Sequence, residues 1–509
     1  MFTSPYDPVV IPDQSIYDYL FGDLSEDELD RVAIVDGATG AATSYRTLLG
    51  QINRVAAALA ERGVAAGTVV GLLCPNIPAF AGVFHGILRS GATVTTVNSL
   101  YTPGEIQRQL EDSGATWLMT VGPLLAGASE AAASAGIADD HVVVPDVSVD
   151  SATHVAVLPF SSGTTGRAKG VMLSHRNLIA NVQQARGLIG VVPEDRVLAL
   201  LPFFHIYGMT VLLNLAFKQR ATLVTMARFD LTEFLRMIQD ERCSYVFIAP
   251  PIAVALAKHP LVEEYDLSSV HTILSGAAPL DGALAQAVAT RLACRILQGY
   301  GMTEASPVSH LIPIDAPDIS RDSVGVTIPN MECMLVSLDT GAEIPLPTDG
   351  VSDPGELLVR GPNVMLGYLG NVQATRETID ADGFLHTGDV ATVSAHGVVR
   401  IVDRSKELIK YKGYQIAPAE LEALLLSHVH VADVAVIGVQ DADGQEIPKA
   451  FVVAVSADAV TAETLMEWVS ERVAPHKKVR VVEFIDVIPK SASGKILRKD
   501  LRAREVAGV

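Results

Sequence analysis

Residues 160–170 hold the densest set of groups that can bind a phosphate chain. They read Phe-Ser-Ser-Gly-Thr-Thr-Gly-Arg-Ala-Lys-Gly, between apolar runs at 155–158 and 171–173, so we predict a strand, a loop and a second strand. Glycines let the backbone approach a ligand closely, and amides, hydroxyls and Lys169 supply donors. The segment lacks the Gly-Lys-Ser/Thr ending of the common P-loop. An ordinary flexible loop is the alternative interpretation.

A second segment, residues 298–304, reads Gln-Gly-Tyr-Gly-Met-Thr-Glu. Its glycines allow the backbone to lie against a flat ring. Thr303 could bind a phosphate, and Glu304 could hold Mg²⁺, which prefers carboxylate oxygens. Taken alone, the segment could equally be a surface turn.

Three further polar segments follow in the C-terminal part of the chain. Residues 386–389 read His-Thr-Gly-Asp, and Asp389 could bind ribose hydroxyls. Residues 411–415 form a basic turn, and residues 493–495 place Lys495 on a loop of small residues. A turn aspartate and solvated lysines are the ordinary interpretation of each segment alone.

Composition limits the classes of function. The chain has 509 residues, a net charge of -20 and 49% hydrophobic residues, which predicts several globular domains and argues against nucleic acid or an acidic membrane as a partner. The four cysteines are far apart, so we expect neither zinc nor disulfides. We find no signal-peptide pattern, no uncharged apolar run of ~18–20 residues and no peroxisomal address, and therefore expect a cytoplasmic protein without a membrane span.

Hydrophobic periodicity predicts an α/β fold. Helical and strand-like segments alternate in the first 300 residues, and short strand-like pieces with many glycines and prolines fill residues 324–392. The predicted helices cover 45–62, 78–89, 231–242, 418–426 and 462–473; the predicted strands include 68–73, 92–96, 245–249, 332–336, 356–360, 390–392, 399–402, 434–439, 450–455 and 479–484. We predict a large domain (1–403) with two α/β sheets and a smaller β subdomain, a hinge near 403–406, and a small mobile α+β domain (404–509).

The motifs occur in an order that resembles the adenylate-forming superfamily, which comprises acyl-CoA synthetases, firefly luciferases and peptide-synthetase adenylation domains. The resemblance covers about residues 20–505, and within the superfamily the chain looks most like 4-coumarate–CoA ligases. The segments that carry it are 161–170, 201–207, 275–279, 298–304, 355–361, 386–389, 403–413, 417–422 and 489–499.

The resemblance implies an AMP-forming acid–thiol ligase. A carboxylate attacks the α-phosphorus of Mg-ATP to give acyl-AMP and pyrophosphate, and the CoA thiol then displaces AMP. The implied partners are a small carboxylic acid of phenylpropanoid type, ATP, Mg²⁺ and CoA as co-substrate. Whether the chain is a monomer or a homodimer stays open.

The resemblance also implies the nucleotide site. Its triphosphate loop comprises Ser161, Ser162, Gly163, Thr164, Thr165, Gly166 and Lys169. Two segments flank the adenine: Ala277, Ala278 and Pro279, and Gln298, Gly299, Tyr300, Gly301 and Met302. Thr303 contacts phosphate and Glu304 holds Mg²⁺, whereas Asp389 and Arg404 hold the ribose.

Catalytic and CoA-binding residues follow from the same resemblance. Lys495 acts in adenylation, and Lys406 is the hinge residue. Lys410 and Gln415 then enter for thioester formation. Lys412, Gly413 and Arg228 are the expected contacts with CoA.

The acyl pocket is expected between His205, at its mouth, and a wall formed by Tyr207, Thr210, Leu274, Gly276, Pro307 and Val308. Plant coumarate ligases commonly have lysine where this chain has Leu274, and often asparagine where it has Thr210. Ser309 and His310 stand where those enzymes are apolar. A buried phenol without a partner costs about 1–3 kcal/mol, so cinnamate, another phenylpropanoate or a medium-chain fatty acid remain open beside 4-coumarate.

Other functions stay open at this stage. They are a medium-chain acyl-CoA synthetase, a donor of acyl-AMP to a carrier protein, a luciferase-like oxygenase and a nucleotide-binding protein without activity. Lys412 and the glycine after it favour free CoA over a carrier. Lys495 and Glu304 argue against an inactive protein. The chain departs from the family pattern at Arg167 and Ala168 before the loop lysine, where little effect is expected, and at Ser405, which replaces leucine in the hinge.

Overall fold

The computed structural model describes residues 1–124, 150–161, 168–412, 414–441, 445–456, 460–491 and 494–507. Within those ranges the predicted α/β class is confirmed, with large mixed sheets followed by a small C-terminal module. The predicted triphosphate-loop residues Ser162, Gly163, Thr164, Thr165 and Gly166, and Gly413, lie outside the described residues.

Two mainly parallel sheets form the first part of the described chain. From edge to edge, the nine-stranded sheet contains Val326–Thr327, Val308–Leu311, Arg295–Gly301, Thr272–Ser275, Tyr245–Ile248, Arg196–Ala199, Thr222–Thr225, Val32–Asp36 and Ala42–Ser44. The seven-stranded sheet contains Gly367–Tyr368, Lys169–Ser174, Val155–Val157, Thr93–Val97, Val69–Leu73 and Trp117–Thr120, with Phe160–Ser161 paired to Lys169–Ser174. Buried helices and strands alternate along this part of the chain, as expected for parallel sheets covered by helices.

The helices begin and end at residues suited to those positions. They are Ile16–Phe21, Glu26–Leu29, Tyr45–Glu61, Pro78–Arg89, Pro103–Ser113, His175–Ile189, Leu215–Lys218, Leu231–Asp240, Pro250–Lys258, Gly282–Leu292, Val372–Thr378, Pro418–Ser427, Ala462–Ser470 and Arg498–Ala507, with a π-helix at Tyr207–Asn214. Ser174, for example, accepts from the backbone N–H of Asn177, whose side chain accepts from the Ser174 N–H, so both ends of a capping box are present.

A six-stranded antiparallel sheet follows the parallel sheets. Its strands are Phe2–Thr3, Glu332–Val336, Gly355–Arg360, Leu385–Val393 and Val399–Arg404, with Glu343–Ile344 paired to Glu332–Val336. The predicted strand 390–392 is longer than expected, because residues 385–389 also pair with their neighbours. Asp389 therefore stands on a strand, opposite Arg404, rather than in a free turn.

The C-terminal module packs around a hydrophobic cluster of its own, which includes Leu421, Val436 and Leu465. Its strands are Ile409–Tyr411, Tyr414–Ile416, Val431–Gln440, Glu446–Ala454 and Val481–Phe484. The predicted helix 462–473 ends earlier, at Ser470. The division of the chain at residues 403–406 stays a prediction.

Among the described residues, none of the helices combines the length and the apolar character that crossing a membrane requires.

Candidate active site

A cavity of about 40 Å³ lies at the carboxyl ends of the parallel strands Thr272–Ser275 and Arg295–Gly301. Ligands of open α/β sheets bind at this edge. The cavity is lined by Ile189, His205, Ile206, Tyr207, Val211, Leu274, Gly276, Ala277, Gly299, Tyr300, Gly301, Met302, Thr303, Pro307, Val308, Leu311 and Lys495. The structure thus brings together most of the predicted acyl-pocket residues with the segment that contains Tyr300 and with a lysine from the end of the chain.

Lys495 reaches the cavity from a tight loop. The Lys495 N–H donates to Ser491 Oγ (3.1 Å), and Gly494 has φ +84°, a conformation that favours glycine. Burial lowers the pKa of Lys495, and the charge of Arg404 lowers it further. Asp389 and Glu304 act in the opposite direction. Because little water competes at a buried site, an ammonium group here attracts an anion more strongly than it would in bulk water.

His205 stands at the same cavity. Burial, followed by the nearby Lys495 charge, lowers the pKa of His205 to about 3, so the imidazole is neutral near pH 7. Its Nδ1 accepts from the Tyr207 N–H (3.3 Å), which leaves Nε2 protonated as a donor. His205 can therefore donate a hydrogen bond to an oxygen in the cavity, but it adds no positive charge.

The buried side chain of Gln298 fixes the loop that begins at Gly276. The Leu280 N–H donates to Gln298 Oε1 (3.0 Å), and Gln298 Nε2 donates to the carbonyls of Leu280 (2.8 Å) and Arg321. Ala277, in the same loop, has φ +71°. The Gln298 amide is thus engaged in holding the predicted adenine-flanking segment 277–279.

Tyr300 joins this loop region to the antiparallel sheet. Its hydroxyl donates to Asp389 Oδ2 (2.6 Å), and Arg404 Nε lies 3.4 Å from Asp389 Oδ1. Burial raises the pKa of Asp389, and Arg404 and Tyr300 oppose that change. The predicted ribose residues Asp389 and Arg404 therefore lie together, with the carboxylate oriented by a phenol.

Glu304 lies beside the strand that follows the predicted phosphate loop. Tyr368 donates to Glu304 Oε1 (2.9 Å), and Lys169 Nζ lies 4.6 Å from the centre of the Tyr368 ring. Ser161 Oγ is buried and has no partner among the described residues. The flanks of the predicted loop, Ser161 and Lys169, are thus paired across a hairpin, on the sheet that also contains Tyr368.

The acyl wall depends on a close approach at Gly276. A Cβ atom there would lie 2.9 Å from the Tyr207 ring, so a larger residue would displace the tyrosine. Leu274, Val308 and Pro307, which belong to the predicted acyl pocket, line the cavity. Thr210, in contrast, is buried outside the cavity lining, and its hydroxyl lacks a partner among the described residues.

His310 lies behind this wall in a polar cluster. Ser309 Oγ is 3.0 Å from His310 Nδ1, and Thr327 Oγ1 is 3.3 Å from His310 Nε2. Burial lowers the pKa of His310 to about 3. Both polar residues that distinguish this segment therefore bond to protein, and neither lines the cavity.

Three buried amides that the sequence analysis missed hold the segment after Glu304. Asn181 Nδ2 donates to the Val308 carbonyl (2.8 Å), and the Val308 N–H donates to Asn181 Oδ1 (3.1 Å). Asn363 Nδ2 also donates to the Val308 carbonyl (3.0 Å), and Gln184 donates to Asn363 (3.2 Å). The available signal was that Asn181 and Gln184 lie three residues apart, on the face of the helix that also carries the apolar residues Leu178 and Leu188.

The predicted thioester residues lie elsewhere. Lys410 and Gln415 are cross-strand partners and line a separate groove of about 690 Å³, together with Glu356 and His386. Lys406 and Lys412 are exposed. Arg228 is exposed after the strand Thr222–Thr225 and does not line the cavity. This arrangement presents Lys495, and not Lys410, to the acyl pocket.

The chain matches known proteins over nearly its whole length. The family described as "AMP-binding enzyme" matches residues 23–369, and "AMP-binding enzyme C-terminal domain" matches residues 420–495. A relative named 4-coumarate--CoA ligase 5, from Oryza sativa subsp. japonica, is 41% identical over 100% of this chain and 98% of its own. 4-coumarate:CoA ligase 1 of Petunia hybrida is 38% identical over 100% and 97%.

Solved structures agree with the predicted fold. ATP-bound MatB from Rhodopseudomonas palustris has a TM-score of 0.86 at 26% identity, covering 97% of this chain and 99% of that one. The predicted resemblance is confirmed by these matches together with the curated relatives. The chain belongs to the AMP-binding family of adenylate-forming enzymes.

Proposed function

We propose that this enzyme is an ATP-dependent carboxylic acid–CoA ligase for 4-coumarate, cinnamate or a related aryl-propenoic acid. It forms acyl-AMP and pyrophosphate, and the CoA thiol then attacks the acyl carbonyl and releases AMP. The proposal rests on one observation: Lys495 and His205 line the same mainly apolar cavity, which Tyr300 also lines, and Tyr300 donates a hydrogen bond to Asp389. The names of the full-length relatives support the same activity.

The first step requires positive charge because a carboxylate must approach the α-phosphate, which is also anionic. Lys495 supplies that charge at the cavity, and the neutral His205 donates a hydrogen bond to the acid. Both groups lie in a buried site that contains little water, where electrostatic stabilisation is stronger than in bulk water. AMP then replaces an oxide as the leaving group, which makes the acyl carbonyl reactive toward a thiol.

The residues also fit Mg²⁺. Mg²⁺ binds through one or two carboxylates together with substrate phosphates, and Glu304 offers one carboxylate near Lys169, on the predicted triphosphate side. The described residues contain no cluster of three or more His, Cys, Asp or Glu side chains, in keeping with an ion shared with the nucleotide. When bound, Mg²⁺ would neutralise phosphate charge.

We propose for the nucleotide residues the roles that the resemblance implies. The predicted triphosphate loop and Thr303 hold the phosphates, segments 277–279 and 298–302 hold the adenine, and Asp389 and Arg404 hold the ribose. The Tyr300–Asp389 hydrogen bond of 2.6 Å supports this assignment, because it orients a carboxylate acceptor at the edge of the cavity.

For the second step we propose that the C-terminal module turns about Lys406. That movement would bring Lys410 and Gln415 to the thioester reaction and Lys412, with the glycine after it, to CoA, near Arg228. The separation of the Lys410 groove from the acyl cavity supports the need for a movement. The cytoplasmic location stays a prediction.

The residues that line the cavity influence which carboxylic acid the enzyme prefers. Leu274, Val308 and Leu311 are apolar and buried, so a para-hydroxyl group pointing at them would lack a partner. We therefore expect cinnamate to be used at least as well as 4-coumarate. The aliphatic lining also favours a medium-chain fatty acid as the second candidate substrate.

The test is CoA-dependent AMP release by the purified enzyme, with kcat/KM compared for 4-coumarate, cinnamate and octanoate. A preference for the aromatic acids supports the proposal. A preference for octanoate would instead indicate a medium-chain fatty acyl-CoA synthetase. Pyrophosphate release without thioester formation, over a wider set of acids, would refute CoA as the acceptor and favour a carrier protein.

A further inference from the structure

Lys258 joins the nucleotide-binding part of the chain to the C-terminal module. It is the last residue of the helix Pro250–Lys258, which we call the docking helix. Its Nζ donates to the carbonyl of Leu426 (2.7 Å) and to that of Val431 (3.3 Å). Leu426 belongs to the last turn of the helix Pro418–Ser427. A lysine from one region thus caps a helix in another.

The other end of the docking helix contacts the loop of Lys495. A Cβ atom built on Gly494 would lie 3.1 Å from the Cβ of Ala249, the N-cap residue of the docking helix, and 3.9 Å from Pro251. The loop therefore rests against the start of this helix, while Lys258 holds the module at its end. One helix contacts the C-terminal module at two separated places.

The ammonium group of Lys258 lies at the C-terminal end of the helix Pro418–Ser427. The last four carbonyls of a helix lack partners within the helix, and the negative end of the helix dipole favours a cation there. The ammonium of Lys258 bonds two carbonyls and no carboxylate in these contacts. Lys258 is an exposed residue, and the partial burial of its ammonium group lowers its pKa.

We propose that Lys258 is a positioning residue for adenylation: its contact with Leu426 and Val431 holds the C-terminal module in the orientation that places Lys495 at the acyl cavity. The inference rests on the proposed function, since it assigns Lys495 to the first half-reaction. Lys258 itself does not line the cavity, so in this proposal it acts through the placement of Lys495.

The test measures the two half-reactions separately in Lys258→Met. Loss of two partly exposed, charge-assisted hydrogen bonds should lower acid-dependent ATP–pyrophosphate exchange about 3- to 10-fold. Conversion of supplied acyl-AMP and CoA to thioester should be unchanged or faster, because that step does not require Lys495 at the cavity. Lys258→Arg, which keeps a donor cation, should recover most of the exchange activity.

Arg242→Met is the matched control, because it removes an exposed cation whose partner, Asp266, lies in the same part of the chain. It should leave both half-reactions at the parent rate. Equal loss of both half-reactions in Lys258→Met, or no loss in either, would overturn the inference. Absence of exchange in the parent enzyme over a broad set of acids would instead refute the proposed function, so the two failures are distinguishable.

Discussion

Replacing Leu274 by lysine should change the preference between 4-coumarate and cinnamate. Leu274 is only 2% exposed, lies in the strand Thr272–Ser275 and lines the acyl cavity. In the proposed binding mode, the para-hydroxyl group of 4-coumarate meets an apolar wall formed with Val308 and Leu311. Leaving that hydroxyl without a partner costs about 1–3 kcal/mol.

A lysine at this position can donate a hydrogen bond to the phenol oxygen. Recovering the lost interaction should raise the ratio of kcat/KM for 4-coumarate to kcat/KM for cinnamate about 5- to 150-fold, at ~1.4 kcal/mol per factor of ten. The value of kcat/KM for cinnamate should itself fall in Leu274→Lys, because the buried ammonium then has no partner.

The assay is CoA-dependent AMP release with both acids on the same enzyme preparation. The ratio is insensitive to partial unfolding of the variant, since lost enzyme lowers both rates equally. Leu274→Met nearly conserves volume and polarity and should leave the ratio unchanged. An unchanged ratio in Leu274→Lys would show that the hydroxyl group points away from this wall and would refute the reasoning.

Three further predictions follow from single contacts. Lys495→Ala should abolish acyl-AMP formation while thioester formation from supplied acyl-AMP persists; equal loss of both would contradict its role. Tyr300→Phe removes the hydroxyl that donates to Asp389 and should raise the KM for ATP about 10- to 100-fold, with little change in the KM for the acid; a matching rise in the acid KM would contradict a ribose role. Burial lowers the pKa of His85 to about 3. Below about pH 6.5, His85 is therefore protonated in the unfolded chain but stays neutral in the folded chain. This difference lowers the unfolding free energy by about 1.4 kcal/mol per pH unit until about pH 3. Between about pH 7.5 and about pH 5.5, the unfolding free energy measured by urea titration should therefore fall about 1.4 kcal/mol less in His85→Leu than in the parent. Equal decreases in the two proteins would show that His85 is protonated in the folded state.

Local sequence patterns predicted many elements well. The helix Pro78–Arg89 has the predicted bounds, because proline suits the first turn and the apolar residues recur at helical spacing. The strand Glu332–Val336 likewise agrees with the alternation of its residues. The short strand Val32–Asp36, by contrast, was not predicted. It is placed by pairing with Thr222–Thr225, about 190 residues away, and local propensity contains no such information.

Several roles in the site were also beyond the reach of sequence patterns. From the sequence alone, Asn181 is simply a polar residue on a helix. In the structure its side-chain amide forms hydrogen bonds with both the N–H and the carbonyl of Val308. Likewise, no pattern around Tyr368 in the sequence indicated its hydrogen bond to Glu304. Such partners become visible only when distant segments meet, because a hydrogen bond depends on distance and direction rather than on separation along the chain.

The sequence by itself determined the α/β class, through hydrophobic periodicity, and the order of the motifs, whose resemblance to the adenylate-forming superfamily implied the family and its chemistry. Only the tertiary structure decided which of two candidate lysines faces the acyl cavity. Lys495 and Lys410 both belong to the C-terminal module, and the orientation of that module selects between them. That orientation is accompanied by contacts such as the one between Lys258 and Leu426, which arise from packing between regions far apart in sequence.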